Sequence, residues 1–245
     1  SIGLDNSPLL YIDGVRVNNQ TAAGPVGVAG RLGGQASNVS GRLNDINPDR
    51  TRVISCERIR DEFCKTLMTA RAPLGLELFK DSGLLAQFAP ELLEMVGVTQ
   101  NEAHAYPVWE HTLIALGNLP PEASLTLRLG TLFHDVGKPR TKGVGEDGRV
   151  HFYGHADAGA DMVRRWMNRL KFPNDEISAV ATLVAQHMRI GEYHDNWTDA
   201  AVRRLMRDLG PHLDDLFAIN RADVSALAPG PAPVSRGANL RARMT

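Results

Sequence analysis

From Ser55 onward, apolar residues recur at intervals of three and four, the spacing that gathers them on one side of an α-helix. Ser55 is placed to cap a first helix whose inner side carries Ile59, Phe63, Thr66, Leu67 and Ala70. Pro73 opens a second helix that ends at Ser82-Gly83, and a third over 84–96 is interrupted near Pro90. Helices follow over 108–119, closed by Pro120-Pro121, and over 125–136, stopped by Gly137 and Pro139. Residues 140–152 form a polar, glycine-containing loop with a short extended piece near Val150-His151-Phe152-Tyr153. A helix over 156–170 then holds Met162, Val163, Trp166 and Leu170 on one side. Asn174 caps the next, with Ile177, Val180, Ala181, Val184 and Met188 inward, and Thr198 caps another that stops at Gly210. The last spans 212–227, before Pro229-Gly-Pro-Ala-Pro233. The expected fold class is all-α.

Residues 1–50 read differently: they are rich in Gly and Asn, without a sustained helical period. Residues 9–17 suggest a small hairpin around Asp13-Gly14. The glycines of 27–34 have the wrong spacing for a phosphate-binding loop, and no Lys-Ser/Thr follows. The organisation expected is a loosely structured N-terminal extension over 1–50 and a helical region over 51–228 with its core at about 104–228. A flexible tail over 229–245, containing Arg236, Arg241 and Arg243, completes it.

Composition narrows the function classes. With 43% hydrophobic residues in 245, the chain can build a sizeable core. A net charge of −1 disfavours whole-chain attraction to nucleic acid, and no DNA partner is expected, though local basic patches stay open. No apolar run reaches the roughly 18 residues a membrane helix needs, and the N-terminus lacks a signal region. Cys56 and Cys64 share one helix, roughly 12 Å apart at about 1.5 Å per residue, beyond disulfide reach. Free thiols without an export signal predict a cytoplasmic location.

The chemistry gathers at His134-Asp135, at the end of an apolar helix. Four further residues fall on the inner stripes of their helices. His111 is three past Val108, His155 seven before Met162, His187 three past Val184, and Asp223 seven past Leu216. Any one histidine so placed can be an ordinary hydrogen-bonded core residue. Six buried polar groups together cost several kcal/mol unless partnered, and a divalent cation would satisfy imidazole nitrogens and carboxylate oxygens at once. His111, His134, Asp135 and Asp223 suffice for one ion; His155 and His187 would bring a second, with Asp135 bridging. His104, His151, His194 and His212 lie in polar or loop contexts and read as surface or substrate-side groups.

The order H…HD…H…H…D resembles the signature of the HD-domain metal-dependent phosphohydrolases. Residues from about 53 to 227 further resemble the C-terminal part of bacterial tRNA nucleotidyltransferases and poly(A) polymerase-like proteins. The phrases that carry this are Ser55-Cys-Glu-Arg-Ile-Arg-Asp-Glu62, His104-Ala-Tyr106, Val108-Trp-Glu-His-Thr112, Phe133-His-Asp-Val-Gly-Lys138, Gly154-His-Ala156, Gln186-His187 and Arg221-Ala-Asp223. Pro107 departs from the acidic residue expected after Tyr106, which puts a contact behind the ligands in doubt. Residues 1–50 contain no paired-carboxylate nucleotidyltransferase motif and are too few for that head. The expectation is a helical and HD portion, alone or cut from a longer chain, without polymerising chemistry.

The resemblance implies a helical bundle holding one or two divalent ions per chain, drawn from Mn, Fe, Co, Ni, Mg or Zn. It implies hydrolysis of phosphate esters of nucleotides or RNA ends, 2′,3′-cyclic phosphates foremost, with tRNA a further expected partner. Asp135 and Lys138 are the expected catalytic residues. Lys138, Arg140, Arg189, Arg203 and Arg204 are candidates for contacts to substrate phosphate. Two alternatives stand beside this: a non-catalytic tRNA- or RNA-binding module, and a di-iron oxygenase on the same ligand set.

Overall fold

A computed structural model of the chain describes residues 10–12, 15–17, 51, 53–100, 104–227 and 236–244. The glycine-rich stretch over 27–34 and the proline-rich 229–233 lie outside the described residues. Strands β1 (Leu10–Ile12) and β2 (Val15–Val17) pair antiparallel, Leu10 opposite Val17, as the Asp13-Gly14 signal predicts; that dipeptide is itself outside the described residues.

Among its described residues the helical body is all-α apart from one hairpin of two-residue strands. It begins with α1 (Cys56–Leu67), whose first turn is capped by Ser55 Oγ accepting from the Arg58 amide at 3.4 Å. Then come α2 (Ala72–Asp81), with Pro73 in its first turn, and the short α3 (Leu85–Phe88) and α4 (Pro90–Leu93), divided at Pro90. Next are α5 (Val108–Gly117) and α6 (Leu125–Phe133). The helix expected through residue 136 ends at Phe133, and α7 (Lys138–Thr141) resumes at once; Pro139 suits a first turn, where no backbone N–H is needed. Strands β3 (Gly143–Val144) and β4 (Val150–His151) form an antiparallel hairpin.

Helices α8 (His155–Arg169) and α9 (Asn174–Gln186) follow, then a 3₁₀ turn at His187–Arg189. Pro173 rather than Asn174 occupies the cap position of α9. Thr198 caps α10 (Asp199–Leu209) by accepting from the Ala201 amide at 3.2 Å, and α11 (Leu213–Ser225) completes the core. The flexible tail expected over 229–245 differs in its described part, where α12 (Arg236–Ala242) packs on α11 with Leu240 fully buried. Arg241 and Arg243 pair with Asp214 and Asp199 across its edge. Burying one leucine is worth about 2 kcal/mol, more than exposed ion pairs contribute, so Leu240 is the anchor that the run of arginines and prolines conceals.

Helix α6 is the axis of the body. Every residue from Leu127 to Phe133 is buried, so it has no wet face, and α9, α11, α5 and α1 surround it. The doublet at its end therefore emerges inside the protein. Gly137, just beyond, allows a close backbone approach: a Cβ there would meet His155 O at 2.1 Å and Gly159 N at 2.8 Å. Gly154, with φ 76°, takes the left-handed conformation that turns the chain into α8.

The earlier helices share this core. Trp166 packs on Phe133 (4.6 Å between ring centroids) and Phe63 (5.4 Å), and its Nε1 donates to Phe88 O at 3.0 Å. Buried Arg128 donates to Ala123 O, Leu67 O and Pro121 O, tying the end of α1 to α6. Cys56 and Cys64 are both free, and burial, with Glu176 nearby, pushes the Cys64 thiol up to about 12. Among the described residues, no helix is long and apolar enough to cross a membrane.

Candidate metal centre

His111 comes from α5, His134 and Asp135 from the turn after α6, His155 from the first turn of α8, His187 from the end of α9, and Asp223 from α11. The structure brings all six together around Asp135. Its Oδ2 lies 3.2 Å from His134 Nε2 and 3.9 Å from His111 Nε2. Its Oδ1 lies 3.5 Å from His155 Nε2 and 3.9 Å from His187 Nε2. Asp223 Oδ1 is 2.8 Å from His111 Nε2 and 3.8 Å from His134 Nε2. His111, His134, Asp135 and His187 are nearly inaccessible to solvent; Asp223, at 27% side-chain exposure, marks the more open edge.

Each of the four rings is held in the same way. Nδ1 faces a backbone carbonyl: Ala226 for His111 (3.2 Å), Thr131 for His134 (2.7 Å), Phe152 for His155 (2.8 Å) and Val184 for His187 (2.7 Å). A carbonyl only accepts, so each Nδ1 carries a proton and Nε2 is the nitrogen turned to the centre. This is the arrangement in which a histidine presents itself to a metal.

The consequence is sharpest on the α8–α9 side. His155 Nε2 and His187 Nε2 are 3.2 Å apart, and both face Asp135 Oδ1. Burial, with the charge of His134 adding to it, pushes His187 down to about 4, and burial lowers His155 as well. Three lone-pair donors thus face one another with no proton to share. Two ligand atoms about 2.1 Å from one ion, at 90–109° between bonds, lie about 3.0–3.4 Å apart; the His155–His187 separation of 3.2 Å matches this, Asp135 Oδ1 stands wider at 3.5 and 3.9 Å, and a cation would remove the repulsion. On the other side, His134 Nε2 is buried without a well-aligned hydrogen bond, 3.2 Å from an Asp135 Oδ2 that the Lys138 ammonium meets at 2.7 Å. Burial opposes the His134 imidazolium, yet Asp135 and Asp223 outweigh it and raise its pKa to about 10. Burial would raise the Asp135 carboxyl, but His134 and Lys138 hold it well below the usual carboxylate range. Asp223 is likewise held low, burial being overcome by His111 and His134. The donors present fit divalent cations.

Lys138 Nζ joins the cluster, 2.7 Å from Asp135 Oδ2 and 2.6 Å from Gln100 Oε1. Gln100, which no motif in the sequence marks, also donates to Tyr106 O at 3.1 Å, and so fastens the turn before α5. Pro107 takes the cap position of α5 and offers no side-chain acceptor; the Val108 amide reaches back to Val98 O at 2.9 Å instead. The arginines stand elsewhere. Arg140 is engaged by both oxygens of Glu94, at 2.8 and 2.6 Å. Arg189, two residues past His187, donates to Gln186 Oε1 at 3.1 Å. Arg203 and Arg204 lie on the exposed face of α10.

Among the other histidines, His194 is exposed, and His151 stacks on the exposed Tyr153 at 4.3 Å between centroids. His104, read as a surface or substrate-side group, packs edge-on against His111 with centroids 5.1 Å apart. Its ligand atom lies within 4.8 Å of those of His111 and Asp223.

Comparison with known proteins adds the following. Residues 101–224 match the family model described as HD domain, and residues 42–95 match one described as a probable RNA and SrmB-binding site of polymerase A. The chain is 42% identical over 170 residues to a CC-adding tRNA nucleotidyltransferase of Thermus thermophilus, covering 67% of this chain and 39% of that protein. It is 37% identical over 197 residues to an A-adding tRNA nucleotidyltransferase of Deinococcus radiodurans, covering 79% and 44%. A bifunctional uridylyltransferase/uridylyl-removing enzyme of Caulobacter vibrioides is 32% identical over 182 residues, covering 63% and 18%. The matches span less than half the length of each of these relatives.

Proposed function

This chain belongs to the HD domain family, and from that premise we propose that it is a metal-dependent phosphohydrolase acting on phosphate esters of nucleotides or RNA ends, 2′,3′-cyclic phosphates foremost. One observation carries the proposal: His155 Nε2, His187 Nε2 and Asp135 Oδ1 crowd together as unshared lone pairs, with His111, His134 and Asp223 on the opposite side of the same carboxylate. On this reading His111, His134, Asp135 and Asp223 would hold one ion, and His155, His187 and Asp135 would hold a second. The imidazole-rich set favours Fe, Co, Ni or Zn over Mg, and the two carboxylates keep Mn among the candidates. A divalent cation held there supplies a water of lowered pKa and positive charge against the phosphoryl oxygens.

The protein's own part is positioning. The four rings are locked by backbone carbonyls before substrate arrives, so little reorganisation is needed during reaction. Lys138 holds Asp135 in place and offers its charge to the substrate phosphoryl group. Arg189 is the nearest in sequence of the arginines proposed to contact phosphate; Arg140, Arg203 and Arg204 would serve a longer RNA. In hydrolysis of a cyclic phosphate, water oxygen bonds to phosphorus, one P–O ribose bond breaks, and the freed ribose oxygen takes up a proton. The tRNA enzymes among the relatives, and the RNA-binding match over 42–95, support an RNA end as substrate.

The test is turnover of 2′,3′-cyclic AMP with Mn, Co, Ni or Mg, and its loss in Asp135→Ala. Absence of turnover with every ion would sink the hydrolase. The RNA-binding match also favours a second reading, an RNA-binding module without catalysis. It predicts salt-dependent tRNA affinity that Asp135→Ala leaves intact.

A further inference from the structure

The geometry points to His104 as an additional protein ligand of the cation on the His111–Asp223 side, an inference that rests on the metal reading of the centre. One ligand atom each from His104, His111 and Asp223 lie within 4.8 Å of one another. The His104 ring stands at 73° to that of His111, edge-on rather than stacked flat. His104 is half-buried beside Asp223, the more exposed of the two carboxylates, and so sits on the open edge of the centre.

Its position is built. The turn that carries it is closed at its base by the Val108 amide on Val98 O, 2.9 Å, and clamped inside by Gln100 on Tyr106 O, 3.1 Å. The same Gln100 accepts from Lys138 Nζ, which holds Asp135. A chain of hydrogen bonds thus runs from the bridging carboxylate to the turn bearing His104, fixing one relative to the other. The chemistry suits the place: a neutral imidazole adds affinity for a borderline cation without adding another negative charge to a site holding two carboxylates. The two cations then differ. The His111 side draws on His104, His111, His134, Asp135 and Asp223, while the His155 side has only His155, His187 and Asp135.

The test is a Co(II) and Mn(II) titration of the full chain, followed by absorption and by dialysis, in wild type, His104→Ala and His155→Ala. His104→Ala is expected to weaken one binding event by about 10–100-fold and leave the other unchanged, with His155→Ala doing the reverse. Imidazole added at millimolar concentration should restore the His104→Ala loss, which a merely structural role would not allow. Gln100→Ala, which loosens the turn but keeps the ligand, should weaken the same event to a smaller degree, and serves if His104→Ala fails to fold. Unchanged affinities in His104→Ala, or equal weakening of both events, would overturn the inference while leaving the metal reading intact. A wild-type chain that binds no divalent cation would overturn both.

Discussion

Lys138 sets its ammonium 2.7 Å from Asp135 Oδ2, three residues along the chain, with neither side chain more than 8% exposed. Breaking a buried pair from one side leaves the other charge without compensation, at a cost of about 3–5 kcal/mol. His134 shares the load here, so Lys138→Met in metal-stripped protein should lose about 3 kcal/mol, measured by urea denaturation with chelator present. Added Mn(II) should stabilise the variant more than wild type, because the cation takes over part of the missing charge. Equal metal-induced shifts would count against that compensation.

The stability of metal-stripped protein should peak between about pH 6 and 7. His187 is held at about 4, so between its unfolded value of 6.5 and that point the unfolded chain binds a proton the folded chain refuses, and stability falls as pH falls. His104, lowered to about 4 by burial and then by Lys138, acts in the same window. His134 works oppositely. Its pKa of about 10 gives stability that is complete below 6.5 and is lost as pH rises toward 10. The depressed Asp135 and Asp223 add stability above the unfolded carboxylate value of 3.8, lost only in stronger acid. Chemical denaturation across pH checks this, and His187→Gln should flatten the acid limb.

Cation binding at neutral pH should release about one proton, because a ligand must give up its proton to bind metal and His134 carries one at pH 7. Calorimetric titration with Mn(II) in two buffers of different ionisation enthalpy measures the number directly. In His134→Gln the release should vanish. A release of zero in wild type would show that His134 is already neutral before the cation binds.

Gly137→Ala should separate the two halves of the centre. Its Cβ would meet the backbone of His155 and Gly159, which has no side-chain freedom with which to yield, so α8 must shift away from the doublet. Overpacking of this kind costs about 1–3 kcal/mol or more. The expected result is a lowered midpoint in thermal melts and loss of the His155-side cation, with the His111-side cation retained.

The six inward residues are legible in sequence because His111, His155, His187 and Asp223 lie on, or just past the end of, helices whose apolar stripes give them a direction, and the His134-Asp135 doublet closes an apolar helix. His104 is not, since it precedes Pro107 in a non-helical turn where no period exists. Gln100 escapes for a similar reason, its role being set by Lys138, 38 positions away. Arg140 looks like a phosphate contact beside the doublet, yet its partner Glu94 is 46 positions distant and no local pattern announces it. Helix α12 is too short to show a stripe, and depends on Leu240 finding a hole made by other segments.

Trp166 carries one more implication, for how these helices can be handed from one protein to another. Phe63, from the first helix, packs edge-on to its ring, and Phe88 supplies the acceptor for its indole N–H, while Leu67 does the same for Arg128. Grafting only the histidine-bearing helices onto a new host would therefore strip an aromatic side chain of its roof and leave a buried guanidinium short of an acceptor. The transferable unit begins no later than Ser55, and recombination that respects this border keeps the ligands aimed.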